Sequence, residues 1–404
     1  MLGVFKSLTV WEVALGYFVD IFDITLFGML RVQSLQDLGF KAEELLTQGQ
    51  LLLNAQMLGM LVGGFVFGIM GDKKGRLGSL FASIILYSVG NLANAFVQDM
   101  QSYLVCRFIS GVGLAGELGL GVTLVVEILP KHIRGIGTAI IATIGVLGAV
   151  MAGVLVEMLP WRYCYMIGGS MGLLLLFLRI SVKESGLFHD LHKQSDVAKG
   201  SLRLLFSSHD KIKRYLLCIL VGVPIWYVAG IVMTLSPELG LVLGIQEPVL
   251  ASRSIAISYL GLAVGDFLSG LLSQYCQSRK KVLLGFELLT IVSLTILFTC
   301  TQGGSSRLYY AICFLIGIGA GFWALFVTLC SEQFGTNLRA TVTTTVPNLV
   351  RGSLILMNIY LSFLRQYYTF LQATIFTGIT VFALCIVSTL LLHETFAKDL
   401  NYTE

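Results

Sequence analysis

Twelve stretches long and apolar enough to cross a bilayer constrain this chain more than any motif it carries. A spanning helix needs about 20 mostly apolar residues. Such segments run at 10–32, 47–70, 77–97, 102–128, 135–158, 161–182, 214–236, 250–273, 280–300, 307–330, 339–363 and 367–391. In lipid a backbone must satisfy its own polar groups, and single segments do so only as helices. The expected class is therefore an all-α membrane protein with twelve transmembrane helices. Composition agrees: 56% of the 404 residues are hydrophobic and 12% charged, against about 45–50% and about 25% in soluble domains. The connections are short except for the polar, basic stretch 183–213. It reads as a cytoplasmic linker between two six-helix bundles, 1–182 and 214–404.

Other classes fall away on composition and spacing. The eight cysteines, Cys106, Cys164, Cys218, Cys276, Cys300, Cys313, Cys330 and Cys385, show no metal-ligand spacing, so neither a metal site nor a disulfide framework is expected. The net charge of +4 resides in loops between apolar spans, a bilayer pattern and not a nucleic-acid footprint. There is no phosphate loop and no nucleophile constellation, so an enzyme, an ATP drive and a cofactor are not expected.

Basic residues favour one side. Loops at one membrane face carry Lys73, Lys74, Arg76, Lys131, Arg134, Arg279, Lys280, Lys281, Arg339 and the basic residues of 183–213, while the other face carries Arg31, Lys41, Arg162, Arg253, Arg307 and Arg365. The excess is roughly threefold and places both termini in the cytoplasm. Two segments also repeat. TLVVEILPKHIRGIGT from Thr123 and TLCSEQFGTNLRATVT from Thr328 match at Thr123/Thr328, Leu124/Leu329, Glu127/Glu332, Arg134/Arg339 and Thr138/Thr343, each pair 205 residues apart. A weaker echo relates the Gly68–Arg76 region to Gly270–Lys281. Half-length repeats are a transporter signature.

The loop GIMGDKKGRLG, residues 68–78, resembles the signature loop of the major facilitator superfamily through Gly68, Asp72, Lys73, Gly75 and Arg76. Glycines permit its tight turn. RFISGVGLAGELG (107–119) and EILPKHIRG (127–135) resemble the fourth span and its exit loop in that superfamily. Gly116-Glu117, the opening acidic stretch and WRYCYMIGGSMGLLLLFLRISVKESGLF (161–188) resemble its metabolite:proton symporter branch, which includes proline/betaine, citrate and α-ketoglutarate carriers. Features of sugar porters are present too. The resemblance implies two pseudo-symmetric six-helix bundles rocking about a central site. The chain departs from the branch at Asp20, where Glu is usual, and at Gln274, where the second-half loop lacks its acid.

Ionisable groups at mid-membrane depth cost about 2.5–3.5 kcal/mol each on insertion scales, so those present should be paired or used. The stretch YFVDIFDITLFG holds Asp20 and Asp23; Arg107 and Glu117 lie in span four, Asp266 in span eight and Arg351 in span eleven. At about 1.5 Å per residue, Asp23 and Arg107 fall at matching depths and can meet. The resemblance to sugar:proton symporters implies that this pair couples protons, with Asp23 the carrier. Asp20, three residues earlier, sits on a neighbouring face and should share that titration. Glu117 is a second proton site or a substrate contact.

In VPNLVRGSLILMNIY, Asn348, Arg351 and Asn358 share one helix face. A midplane guanidinium suits bidentate carboxylate binding, and organic-anion carriers of the superfamily use an arginine there. Arg351 is read as the anion-binding residue; the alternative is an ion pair with Asp266 or a span-one carboxylate. Trp226, Tyr227 and Trp323 are candidate cavity walls. Glu127, Arg134, Glu332 and Arg339, with Asp72 and Arg76, are expected to form ion pairs at the cytoplasmic gate.

The expectation is a bacterial inner-membrane secondary transporter, monomeric, whose partners are a small-molecule substrate, protons and lipid. Its substrate would be an organic anion or zwitterion, a carboxylate, amino acid or betaine, imported with protons. The alternative is a uniporter or exporter of a sugar, drug-like compound or siderophore.

Overall fold

The computed structural model describes residues 8–74, 76–128, 134–178 and 205–396, with side chains undescribed at 8–9, 71–76, 118, 121–140, 336–337 and 339–340. The first half contains α1 (Leu8–Asp37), α2 (Leu45–Lys74), α3 (Arg76–Asn94), α4 (Met100–Ile128), α5 (Arg134–Met158) and α6 (Trp161–Leu178). The second contains α7 (His209–Trp226), continued by a π segment (Tyr227–Met233), then a short α8 (Ser236–Val242), α9 (Ala251–Tyr275), α10 (Arg279–Cys300), α11 (Ser306–Ala320), α12 (Trp323–Glu332), α13 (Thr336–Leu364) and α14 (Phe370–Leu391). Taking α7 with its π segment and α11 with α12, the described residues make twelve passes. Ten of these passes meet length and hydropathy criteria for a membrane span among the described residues.

Local chemistry starts several helices. Ser208, Ser278 and Ser305 accept from the main-chain N–H three residues on, at Lys211, Lys281 and Leu308. Thr369 and Gln372 form a reciprocal capping box at α14. Each such cap stabilises its helix by about 1 kcal/mol.

The contacts reveal the duplication. Within the first half α2 packs on α4, α1 on α5, and α3 on α4 and α6. Within the second, α9 packs on α11, α7 on α13, and α10 on α11 and α14. The halves meet where α5 packs on α9 and α2 on α13, two contacts that exchange under the same pseudo-twofold relation. Glycines repeat the detail. A Cβ at Gly59 or Gly63 would enter the main-chain oxygen of Phe108 or Val112, and one at Gly111 that of Gln56. In the second half Gly261, Gly265 and Gly317 face the oxygens of Phe314, Ile318 and Ser258 in the same way. Small residues that let helix backbones touch are what packing in lipid requires, where apolar burial drives nothing.

Three features differ from the expected spans. α1 continues to Asp37, so Arg31, expected in a loop, lies within the helix and is fully buried. The seventh pass begins at His209, inside the expected linker, and loosens into π geometry after Pro224, which supplies no N–H to the ladder. The tenth pass is broken at Gly321–Phe322, where the ladder is replaced by short bonds from Gly321 N to Ile318 O (3.1 Å) and Phe322 N to Ala320 O (2.9 Å).

Candidate functional site

The connections 38–44, 95–99, 159–160, 243–250, 301–305 and 365–369 define a distal face; the first and last described residues, Leu8 and Phe396, lie at the opposite, terminal face. Midway between them α1 meets α13. Arg351 Nη2 lies 3.6 Å from Asp20 Oδ2, both side chains essentially without solvent exposure. This ion pair crosses between the halves. Arg351 Nε and Nη1 have no hydrogen-bond partner, and neither have the two Asp20 oxygens. The guanidinium also stands 5.9 Å from the centre of the Trp323 ring, at the first residue of α12. Tyr17 of α1 and Tyr259 of α9 lie within electrostatic reach of both Asp20 and Arg351, and Glu117 of α4 within reach of Asp20. Charged and aromatic groups from five passes thus converge on one buried locus.

The other two residues of the α13 face cross to the first half at different points. Asn348 donates to Ala115 O (3.3 Å) and packs against Gly64. Asn358, three turns nearer the distal face, donates to Asn54 Oδ1 (2.7 Å) and accepts from Gln50 (3.3 Å). They form a seam along α2, while Arg351 faces α1. Tyr227 is turned into the second half, where its hydroxyl donates to Thr374 O (2.8 Å) and its ring meets Phe382. Trp226 is buried just ahead of the π segment.

Asp23 lies one turn beyond Asp20, against Gly168 of α6, with the Asn91 side chain of α3 beside its carboxylate. Arg107 is within its electrostatic reach but not in ion-pair contact. The guanidinium instead donates to Gln56 Oε1 of α2 and sits 4.8 Å from the Phe27 ring and 5.9 Å from that of Tyr165. A glutamine two turns into an apolar span was the signal in the sequence for this partner.

The distal face is closed by two ion pairs that join the halves. Arg31 Nη2 lies 2.5 and 2.6 Å from the Glu238 oxygens, and its Nη1 donates to Leu45 O (3.1 Å). The Arg31 stem crosses directly over Gly49, where no side chain would fit. Arg253 Nε and Nη2 hold both oxygens of Glu157 at 2.8 and 2.9 Å. None of these four residues stood out in the sequence as a site. The pairing became visible only when α1 with α8, and α5 with α9, were brought together.

Of the residues expected at the terminal gate, Gly68 lies in α2 facing Thr344 across the seam. Glu332 pairs within its own half, with Arg279 Nη2 at 3.5 Å and Thr395 Oγ1 at 2.6 Å. The side chains of Asp72, Lys73, Arg76, Glu127, Arg134 and Arg339, and all of Gly75, lie outside the described residues. Glu287, buried in α10 and bonded by Thr389 (2.7 Å), is a further intramembrane acid. It faces α14, away from the seam between the halves.

Comparisons with known proteins agree with this architecture. The sialic acid transporter NanX of Escherichia coli (strain K12) is 26% identical over 341 residues, 83% of this chain and 81% of that one. The niacin transporter NiaP of Acinetobacter baylyi is 27% identical over 188 residues, 46% of this chain and 42% of its own length. Among solved structures, the xylose transporter XylE from E. coli superposes with a TM-score of 0.72 at 16% identity, over 98% of this chain and 99% of that one. That last likeness is one of fold. The sequence model of the Major Facilitator Superfamily matches residues 13–354. With twelve described passes, a repeated glycine clamp and a buried ion pair between two halves, the chain belongs to the Major Facilitator Superfamily and is a membrane-embedded transporter of small metabolites.

Proposed function

We propose that the protein is a proton-coupled importer of a small organic anion, with Arg351 binding the substrate carboxylate. One observation carries this: a fully buried guanidinium whose charged partner, Asp20, is held at 3.6 Å while Nε and Nη1 stay unbonded. A desolvated arginine short of acceptors is costly. A carboxylate in bidentate contact supplies two acceptors in the geometry the guanidinium presents. Sialic acid and niacin, carried by two relatives, each bear one carboxylate.

In this reading Asp20 is the internal stand-in for the substrate. The anion and Asp20 compete for Arg351. Adding an anion to a dry site that already holds Asp20 and Asp23 favours uptake of a proton by one of these two carboxylates. Asp23, close to Arg107 without contacting it, is the proton carrier, and Asp20 shares the load. Substrate and proton thereby enter together. The bacterial relatives and the basic terminal-face loops support a place in the inner membrane with cytoplasmic termini.

The test is reconstitution in liposomes loaded with a pH-sensitive dye. Pools of carboxylates, amino acids and betaines, sugars, and nucleosides are added outside. Internal acidification with the carboxylate pool, lost in Arg351→Ala and in Asp23→Asn, is the expected result. Tracer exchange without proton movement would make the protein a uniporter or exchanger and remove the coupling role of Asp23.

A further inference from the structure

The break in the tenth pass is held from outside its own chain segment. α12 begins at Trp323 with no capping side chain of its own, since its N-cap position is Phe322. The missing acceptor comes from α9: Asp266 Oδ1 receives the main-chain N–H of Ala324 at 3.1 Å. Gly321 lies directly on Gly265 and on the Asp266 backbone, so close that a Cβ there would sit 2.6 Å from Gly265 Cα and 2.7 Å from Asp266 N. Two glycines in contact bring the carboxylate of one helix to the open end of another.

We infer that Asp266 is a positioning residue for the anion site: by capping α12 across the helix–helix contact it sets the Trp323 ring against Arg351. The first turn of α12 carries the indole that stands 5.9 Å from the Arg351 guanidinium. A cation over an indole face is stabilised by the ring quadrupole, so the indole orients the same guanidinium that faces Asp20. An uncapped first turn frays, and the ring loses its anchor. The role needs an acceptor oxygen at position 266, not a charge. Tyr17 of α1 lies within electrostatic reach of Asp266.

The consequence for substrate rests on the anion-binding reading of Arg351, but the capping claim is tested without substrate. Hydrogen exchange in nanodiscs would follow the peptide covering 321–328. In parallel, Trp323 emission would be read in a background with Trp11, Trp161 and Trp226 replaced by Phe. The expected result is that Asp266→Ala speeds exchange of the first turn of α12 by about tenfold and shifts Trp323 emission as Arg351→Ala does. Asp266→Asn, which keeps an acceptor oxygen, should match the parent in both readouts. Unchanged exchange in Asp266→Ala, or an Asp266→Asn variant as perturbed as Asp266→Ala, would overturn the inference. Both readouts stand even if Arg351 proves not to bind anions, because they report the cap and the ring alone.

Discussion

Replacing Glu238 by Gln should open the distal face, whereas replacing Glu157 by Gln should not. The two acids make similar bonds: Glu238 to Arg31 at 2.5 and 2.6 Å, Glu157 to Arg253 at 2.8 and 2.9 Å. Burial separates them. The Arg31 side chain is 0% and Glu238 19% exposed, against 51% for Arg253 and 34% for Glu157. At an effective dielectric near 20, the Arg31–Glu238 attraction is about 6–7 kcal/mol gross, of which desolvation cancels several. Removing one partner leaves Arg31 buried without a counter-charge, at a cost of about 3–5 kcal/mol. When the halves part at this face Arg31 meets water and that cost vanishes. The closed-to-open ratio should therefore fall on the order of 10²–10⁴-fold. Arg253 and Glu157 already reach solvent, and their pair is worth about 0–1 kcal/mol, so its loss should move the ratio less than about fivefold. The assay is a spin-label distance between Cys introduced at Glu43 and Gln246, exposed on distal loops of opposite halves, in a cysteine-free background. Arg31→Met with Glu238→Met should restore closure, because neutralising both partners removes the unpaired charge. Equal distance distributions in Glu238→Gln and the parent would refute the reasoning, as would equal shifts from Glu238→Gln and Glu157→Gln.

Three further outcomes follow from the same structure. Gly59→Ala and Gly261→Ala drive a Cβ into a main-chain oxygen that cannot give way. Each should destabilise by about 1–3 kcal/mol in thermal unfolding in detergent, while Gly270→Ala and Gly285→Ala, with nothing within 4 Å, should be neutral or stabilise by up to about 1 kcal/mol. Asp20→Asn should free Arg351, so carboxylate binding measured by calorimetry should tighten while the pH dependence carried by Asp23 remains; weakened binding would count against competition at Asp20. Glu394, beyond α14, is raised by partial burial, but bonds from Ser278 and from the N–H groups of Arg279, Phe396 and Lys280 outweigh this and hold it at about 2. A depressed carboxylate pKa stabilises above the unfolded value near 4.5 and loses that contribution as pH falls toward 2. Unfolding temperatures should therefore drop across this window in the parent and change less in Glu394→Gln, with no difference in slope between pH 6 and 8.

The spans were legible because they answer to length and hydropathy, which belong to each segment by itself. Arg351 and Asp20 were legible for a related reason: a charge in an apolar run is conspicuous wherever its partner is. The repeat from Thr123 and from Thr328 pointed to duplication, yet the stronger form of it, glycines 59, 63 and 111 answered by 261, 265 and 317, appears only as helix contacts. Depth along the bilayer placed Asp23 and Arg107 at one height. Height does not decide azimuth, and Arg107 turns to Gln56 on a neighbouring helix.

Segment length and hydropathy thus set how many helices cross and roughly where, because a bilayer imposes these on every span separately, while the exact ends, such as the start of the seventh pass at His209, answer to local packing. Sequence left Arg351 a choice between Asp266 and a span-one carboxylate, and helix packing settled this and the other pairings. Arg31 found Glu238, Glu157 found Arg253, Asp20 found Arg351, and Asp266 found the open end of α12. Each of these contacts joins helices distant in sequence, and the rotation of a helix about its axis is set by what it packs against.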